Sequence, residues 1–193
     1  MYSREGRFDK VLSVAAPNDY VLIQFGRNEK GTLHPKDNGK TVCPGSNITQ
    51  TCASTFNGEE TTVLTFGGYI SNITQIFKEK GINVIIASPT TNNAYSFNTD
   101  NFFDKPSEWV GYSEGVAKYE GVEYVNHFKY GVDMMRRLGK EGTQKLYPVK
   151  KDRTHTNPLG ADMMARAFVK GVMCGGSGLG RWVDSRAVEK VEG

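Results

Sequence analysis

The chain has 193 residues and a mass of 21.4 kDa, a size that allows one domain with a substantial core. Its 24 basic and 21 acidic residues give a net charge of +3, too small for a nucleic-acid-binding surface. No apolar run approaches the ~20 residues of a membrane-spanning helix. We therefore expect a single domain over residues 1–193 that binds neither nucleic acid nor membrane.

The first predicted element is a strand at Tyr20–Phe25. Its nearly continuous apolar and β-branched residues are typical of a parallel strand covered on both faces. A turn at Gly26-Arg27-Asn28 follows, and then a polar segment without periodicity from about Lys30 to Thr62. We predict a long loop there. In a compact domain such a loop is either functional or pinned.

Helices and strands alternate over the rest of the chain. A helix is predicted over Val63–Lys80, with Gly81 as its C′ residue. Its apolar stripe is Tyr69, Ile70, Ile73, Ile76 and Phe77. The elements that follow are a strand at Ile82–Ala87, a helix at Ser107–Tyr119, a strand at Val122–Val125 and a helix at His127–Leu138 ended by Gly139.

The last predicted helix begins at Asn157-Pro158, the N-cap and N1 positions. Its predicted buried face is Leu159, Met163, Ala167 and Phe168, and residues 175–193 are predicted to form a loose tail. The alternating order predicts an α/β protein with a parallel sheet, of which three strands are visible.

Two positions carry candidate chemistry. Asp152 and His155 lie three residues apart, so the carboxylate can orient the imidazole and leave its other nitrogen to act as a base. The same spacing fits a capping aspartate beside a surface histidine, the commoner interpretation from spacing alone. Asn28 follows the first strand and can donate to an oxyanion or simply occupy a turn.

Together these residues resemble the SGNH, or GDSL, hydrolases. Gly26-Arg27-Asn28-Glu29 is similar to their third conserved block, Gly-x-Asn-Asp, and Asp152-x-x-His155 is similar to their fifth. Further pieces resemble the fungal rhamnogalacturonan acetylesterases, in family order from Tyr2 to about Cys174. These pieces are Tyr2–Phe8, Cys43 with Cys52, Leu64-Thr65-Phe66, Gly121–Val125 and Asp152–Ala161.

The resemblance implies a flavodoxin-like three-layer α/β sandwich. It implies a serine esterase that removes acetyl groups from rhamnogalacturonan, a pectin backbone, without cofactor or metal. Asp152 and His155 would belong to a Ser-His-Asp triad, and Asn28 would donate to the oxyanion. Arg27 and Glu29 depart from the family pattern, in which His and Asp are usual.

The nucleophile of this family is a serine in an N-terminal Gly-Asp-Ser block, followed by a glycine block that adds an oxyanion donor. Neither block has a counterpart in residues 1–193. We therefore expect the family's first strand, first helix and second strand to be missing, and this sequence expressed alone to be inactive and poorly soluble.

Three alternatives stay open. Ser113 lies in a literal G-x-S-x-G, but within a predicted helix rather than after a strand. The chain can also be an inactive remnant or a carbohydrate-binding pseudo-enzyme. A basic stretch is either a solvated face or a contact for an acidic polysaccharide. Its members are Arg136, Arg137, Lys140, Lys145, Lys150, Lys151 and Arg153.

The remaining features concern processing. Cys43 and Cys52 either form a disulfide in an oxidising compartment or stay free, and Cys174 is an odd thiol. Asn47 and Asn72 begin N-glycosylation sequons. The first residues lack a signal peptide's apolar core, but the resemblance implies an extracellular protein. We expect a monomer whose partner is an acetylated pectic polysaccharide.

Overall fold

A computed structural model describes residues 3–29, 31–35, 37–149 and 151–184 of the chain. The chain divides into two compact units, one of residues 1–87 with 111–124 and one of residues 88–110 with 125–193. The single domain expected from chain length stays a prediction. No helix among the described residues has both the length and the apolar character needed to cross a membrane.

The first unit is built on a small sheet. Strand β1 (Tyr20–Gln24) runs parallel to β4 (Asn83–Ala87), with Tyr20 opposite Asn83 and Gln24 opposite Ala87. The third strand is β5 (Glu123–Val125), and the strand order is β1-β4-β5. The predicted alternation of helices and strands is confirmed from Phe66 to Gln144. The elements that contribute to this unit are α1 (Arg7–Val14), β1 (Tyr20–Gln24), β2 (Thr51–Phe56), β3 (Glu59–Leu64), α2 (Phe66–Glu79), β4 (Asn83–Ala87), α3 (Glu108–Glu120) and β5 (Glu123–Val125).

Helix α1 is absent from the sequence prediction for a physical reason. None of its residues is buried, and its N-cap residue, Gly6, offers no side chain to accept a hydrogen bond. Its apolar residues Phe8, Val11 and Leu12 have helical spacing and are half-buried, but three such residues in a helix of 8 are fewer than a periodicity argument needs.

Helix α2 covers β4 with most of its predicted stripe. Ile70, Ile73 and Phe77 are buried, whereas Ile76 is 41% exposed, so the stripe is narrower than predicted. The helix begins later than predicted because Val63 belongs to β3.

The start of α2 leaves no room for a side chain at Gly68. A Cβ at this position would lie 2.7 Å from the carbonyl oxygen of Ile48. We expect Gly68→Ala to destabilise the protein by about 1–3 kcal/mol, measured by urea unfolding. The matched control is Gly115→Ala in α3, where the added Cβ would meet no described atom within 4 Å outside its chain neighbours and the backbone of its own helix. That change is expected to stabilise by about 0.5–1 kcal/mol, and equal effects of the two would contradict the prediction.

Between β1 and α2 the predicted long loop is wrong in part. Strands β2 and β3 form an antiparallel hairpin that pairs Thr51 with Leu64 and Phe56 with Glu59. Asn57 and Gly58 at its tip both have positive φ, 54° and 88°, as a type I′ turn requires. These threonine- and glutamate-rich strands lack alternating apolar residues, so the only local indication of a hairpin in this segment was the Asn57-Gly58 pair at its turn.

The hairpin is tied to the preceding segment. Cys43 and Cys52 form a disulfide with their Cα atoms 5.3 Å apart, and the Cys43 N–H donates to the Leu64 carbonyl at 2.8 Å. The predicted loop is therefore pinned at this point, by the cysteine pair that the family resemblance implied.

We expect the double variant Cys43→Ser, Cys52→Ser to lose about 2.5 kcal/mol of stability. A bridge across a sequence separation of 9 residues restricts the unfolded chain by this amount in the loop-entropy model. Urea unfolding measures the loss. The control is Cys174→Ser, since that cysteine is free and exposed, and it should change stability by less than about 0.5 kcal/mol. A similar loss in the control would count against the bridge.

The second unit is helical. Helix α4 (His127–Gln144) breaks at Gly139, whose φ is 67° and ψ 179°, the residue at which the predicted helix ends. Helix α5 (Pro158–Cys174) begins as predicted, with the Asn157 side chain accepting the Gly160 N–H. A short 3₁₀ helix at Gly178–Trp182 follows. It replaces part of the predicted loose tail, whose residues 185–193 lie outside the described ones.

Two predictions about side chains in this unit are wrong. Leu159 is 58% exposed, and Met164 is buried instead, in a core with Ala94, Met135, Leu146 and Tyr147. A histidine without a partner at motif spacing predicts a surface or capping position for His127, but this residue is buried, with Nε2 at 2.8 Å from the Met164 carbonyl oxygen. Burial lowers the pKa of His127, since the charged imidazolium would lose its water.

Candidate active site

Asp152 and His155 lie together in the second unit. Oδ2 of Asp152 is 2.8 Å from Nδ1 of His155. Oδ1 of the same carboxylate accepts the backbone N–H groups of Thr154 at 2.8 Å and of His155 at 3.1 Å. The imidazole side chain is 83% exposed. An ionised Asp152 therefore keeps the proton on Nδ1, which makes Nε2 the ring atom with a lone pair.

These hydrogen bonds lower the pKa of Asp152 to about 2. The Thr154 backbone N–H contributes most, followed by the His155 side chain and its backbone N–H. Hydrogen bonds to the charged form favour that form. Asp152 is thus a carboxylate under all conditions in which the histidine can act as a base.

We expect Asp152 to stay ionised when an ordinary aspartate, with a pKa of 3.8, has gained its proton. Its folded-state pKa is depressed, so its stabilising contribution is complete above about pH 3.8 and is lost as the pH falls through about 2. A ¹³C titration of the carboxyl carbon in the folded protein measures this. His155→Ala removes one donor and should move the midpoint upward; a wild-type midpoint near 3.8 would contradict the geometry.

Asn28 lies in the first unit, just beyond the end of β1. The buried Gly26 has a φ of 110° and turns the chain there, and the Asn28 N–H donates to the Glu29 carboxylate at 2.9 Å. The exposed Asn28 lines a cavity of about 340 Å³ together with Glu29, Lys40 and Tyr69. The side chain is thus accessible to a ligand. Its role as an oxyanion donor stays a prediction.

Ser113 does not form a nucleophile elbow. It lies in the middle of α3 and is 1% exposed. An elbow needs a strand before the serine, a helix after it and an exposed hydroxyl. The alternative based on the G-x-S-x-G spacing is therefore wrong.

Two residues of the basic stretch, Arg136 and Lys140, form ion pairs with aspartates. Arg136 binds Asp104 at 2.8 Å, and Lys140 binds Asp100 at 2.9 Å. These pairs favour the solvated-face interpretation; Lys150 lies outside the described residues. Within the part of the chain that the structure describes, no three His, Cys, Asp or Glu residues could hold a metal ion together.

Arg153, which the sequence placed in the basic stretch, makes a contact that the sequence did not indicate. Its guanidinium donates to the carbonyl oxygen of Asn93. The partner is 60 residues away in the chain, so no local pattern could have identified it.

Both glycosylation sequons are exposed. Asn47 lies in a loop, and its Oδ1 accepts the Thr49 N–H and the Thr49 hydroxyl, both at 3.0 Å. Asn72 lies on an exposed position of α2, as glycosylation there would require. The structure thus leaves room for a glycan at both positions.

Comparison with known proteins decides the family. No protein-family model matches the sequence. Over 178 residues the chain is 43% identical to the rhamnogalacturonan acetylesterase of Emericella nidulans, and the match covers 92% of this chain and 70% of that protein. The chain belongs to the rhamnogalacturonan acetylesterase family. The resemblance predicted from the motifs is confirmed.

Solved structures support the fold of this rhamnogalacturonan acetylesterase family member. The protein YxiM of Bacillus subtilis superposes with a TM-score of 0.64 at 19% identity, over 91% of this chain and 42% of that one. A variant of an acetyl-xylooligosaccharide esterase from Geobacillus superposes with a TM-score of 0.54 at 14% identity, over 89% of this chain and 65% of that one. The chain thus spans less than two thirds of either protein. Such identities establish the fold alone, and the predicted α/β class is confirmed.

Proposed function

We propose that this chain acts in a serine esterase that hydrolyses acetyl esters on rhamnogalacturonan, the backbone of an acidic pectic polysaccharide. The hydrogen bond between Asp152 and His155, in a chain 43% identical to a rhamnogalacturonan acetylesterase, carries this proposal. This family relationship favours a catalytic pair over the alternative of a capping aspartate beside a surface histidine. The orientation of the ring by the carboxylate supports a base at Nε2.

In the proposed reaction a serine hydroxyl attacks the acetyl carbonyl carbon while Nε2 of His155 takes the hydroxyl proton. The carbonyl π electrons move to oxygen, and Asn28 donates to the resulting oxyanion. When the tetrahedral intermediate collapses, the bond to the sugar oxygen breaks and His155 returns the proton to that oxygen. Water then attacks the carbonyl carbon of the acetyl-serine, with His155 again as the base. His155 returns the proton to the serine oxygen as acetate is released. Asp152 stays ionised and stabilises the imidazolium formed in each step.

The proposal takes the serine to lie in the Gly-Asp-Ser block that the family resemblance implies. Residues 1–193 contain no such block, and 30% of the Emericella relative lies outside the match, which covers 70% of it. The kinetic tests below therefore refer to a form of the protein that carries this block ahead of residue 1, called here the extended form.

Two measurements on the extended form test the proposal. Acetate release from acetylated rhamnogalacturonan should exceed release from acetylated xylan, because the chain is 43% identical to a rhamnogalacturonan acetylesterase. Labelling with a fluorophosphonate, followed by peptide mapping, should identify the serine of the Gly-Asp-Ser block. Binding of the polysaccharide without acetate release would support the pseudo-enzyme instead, and a label on Ser113 would contradict the assigned nucleophile.

We also propose that the protein is secreted and glycosylated and acts in pectin degradation as a monomer. The disulfide between Cys43 and Cys52 supports an oxidising compartment, and exposed sequons at Asn47 and Asn72 support glycosylation. Secretion from a fungal host tests this. Loss of one glycan in Asn47→Gln, and of a second in Asn72→Gln, is the expected result on a gel; two unmodified sequons in secreted protein would refute glycosylation.

A further inference from the structure

Arg153 lies between the two residues of the proposed dyad in the chain, and its half-buried side chain is bonded to the protein backbone. Nε and Nη2 of Arg153 donate to the carbonyl oxygen of Asn93 at 2.9 and 2.5 Å. The Asn93 N–H donates in turn to the Arg153 carbonyl oxygen at 2.8 Å. One residue pair thus exchanges three hydrogen bonds, which we call the Arg153–Asn93 contact.

The contact is anchored on the buried side. Asn93 has no exposed surface, and the adjacent Ala94 belongs to the hydrophobic core of the second unit. The Asn93 side-chain oxygen accepts the Tyr95 N–H at 2.9 Å, which fixes the local backbone. The carbonyl oxygen that Arg153 binds is therefore held by the core rather than by a mobile loop.

Phe103 supports the guanidinium from another direction. Its ring centroid lies 5.1 Å from the Arg153 Cζ, within the range of a cation–π contact. The Phe103 N–H donates to the Ala94 carbonyl at 2.7 Å, so the ring is attached to the same segment as Asn93. A second link between the two segments is the Thr154 hydroxyl, 3.2 Å from the Asn92 side-chain oxygen.

The hydrogen bonds within the dyad are all local, between residues at most three apart. They orient the imidazole relative to Asp152 but do not fix either residue relative to the core. We propose that Arg153 is a positioning residue, whose contact with Asn93 fixes the Asp152–His155 pair on the core. The kinetic part of this inference rests on the proposed function, since misplacing a catalytic base by about 1 Å can cost about a hundredfold in rate.

Arg153→Met removes the donors while keeping an apolar stem, and Arg153→Lys keeps the charge without the planar pair of donors. Hydrogen exchange on the extended form should show the Asn93 amide exchanging about tenfold faster or more in Arg153→Met, with Arg153→Lys between. In the extended form Arg153→Met should lower kcat about tenfold to a hundredfold at unchanged KM and unchanged pH profile, with partial recovery in Arg153→Lys. The control is Arg166→Met, which breaks an ion pair with Asp162 within α5 and so removes a guanidinium at a distance in sequence from the dyad.

Unchanged exchange at Asn93 would overturn the inference, and so would faster exchange with full kcat, because the contact would then be structural only. A rise in KM at constant kcat would also overturn it, since Arg153 would then bind substrate. If wild-type extended protein hydrolyses no acetyl ester, the proposed function fails, and the exchange measurement alone decides whether the contact fixes the loop.

Discussion

Replacing His155 with alanine is expected to lower kcat for acetyl ester hydrolysis by the extended form about 10⁴- to 10⁶-fold. The serine hydroxyl would then lose the group that accepts its proton, and the leaving sugar oxygen would lose the group that returns one. The side chain is 83% exposed and its one described side-chain bond is to Asp152, so folding should be nearly unaffected. Release of acetate from acetylated rhamnogalacturonan measures the loss.

Two further variants sharpen this test. Asp152→Asn should lower kcat about 10⁴-fold, because a neutral amide no longer selects the Nδ1–H tautomer. His34→Ala, at an exposed loop position, is the matched control and should retain full activity. A His155→Ala protein that keeps more than a tenth of wild-type kcat would contradict the proposed mechanism.

Replacing Asn28 with alanine is expected to lower kcat about 10²- to 10³-fold, the usual effect of losing one oxyanion donor. KM should stay nearly constant, because the negative charge that Asn28 would stabilise develops only in the transition state. Asn28→Asp should be worse than alanine, since a carboxylate would repel the oxyanion. Steady-state kinetics on an aryl acetate separate kcat from KM without a contribution from polysaccharide binding.

The control for Asn28 is Asn98→Ala, which truncates an exposed asparagine in the second unit and should leave both constants unchanged. A higher KM at constant kcat in Asn28→Ala would reassign Asn28 to ground-state binding of the sugar. The cavity that Asn28 lines would then be a subsite rather than part of the reaction centre.

The sequence was sufficient where a feature depends on neighbours in the chain. The cap at Asn157, the glycine break at Gly139 and the Asp152–His155 pair all involve residues a few positions apart, so their spacing predicts them. Edge strands without apolar alternation were missed because β2 and β3 are stabilised by each other and by the disulfide. The burial of His127 depends on Met164, a partner that no local pattern specifies.

The same distinction applies to the candidate site. Spacing and resemblance identified the residues that would react, since these lie in short motifs. The residue that holds them, Arg153, was grouped with surface charges because its partner Asn93 is distant in the chain. Long-range contacts of this kind follow from the fold and become visible only with it.

The two oxygens of the Asp152 carboxylate have different partners, which limits the substitutions that this segment tolerates. One oxygen orients the imidazole while the other accepts two backbone N–H groups, so a glutamate, one methylene longer, would not reach both sets of partners. Thr154 supplies a backbone N–H to this carboxylate, which every residue except proline provides. Selection for activity from random libraries should therefore return aspartate alone at position 152 and no proline at position 154.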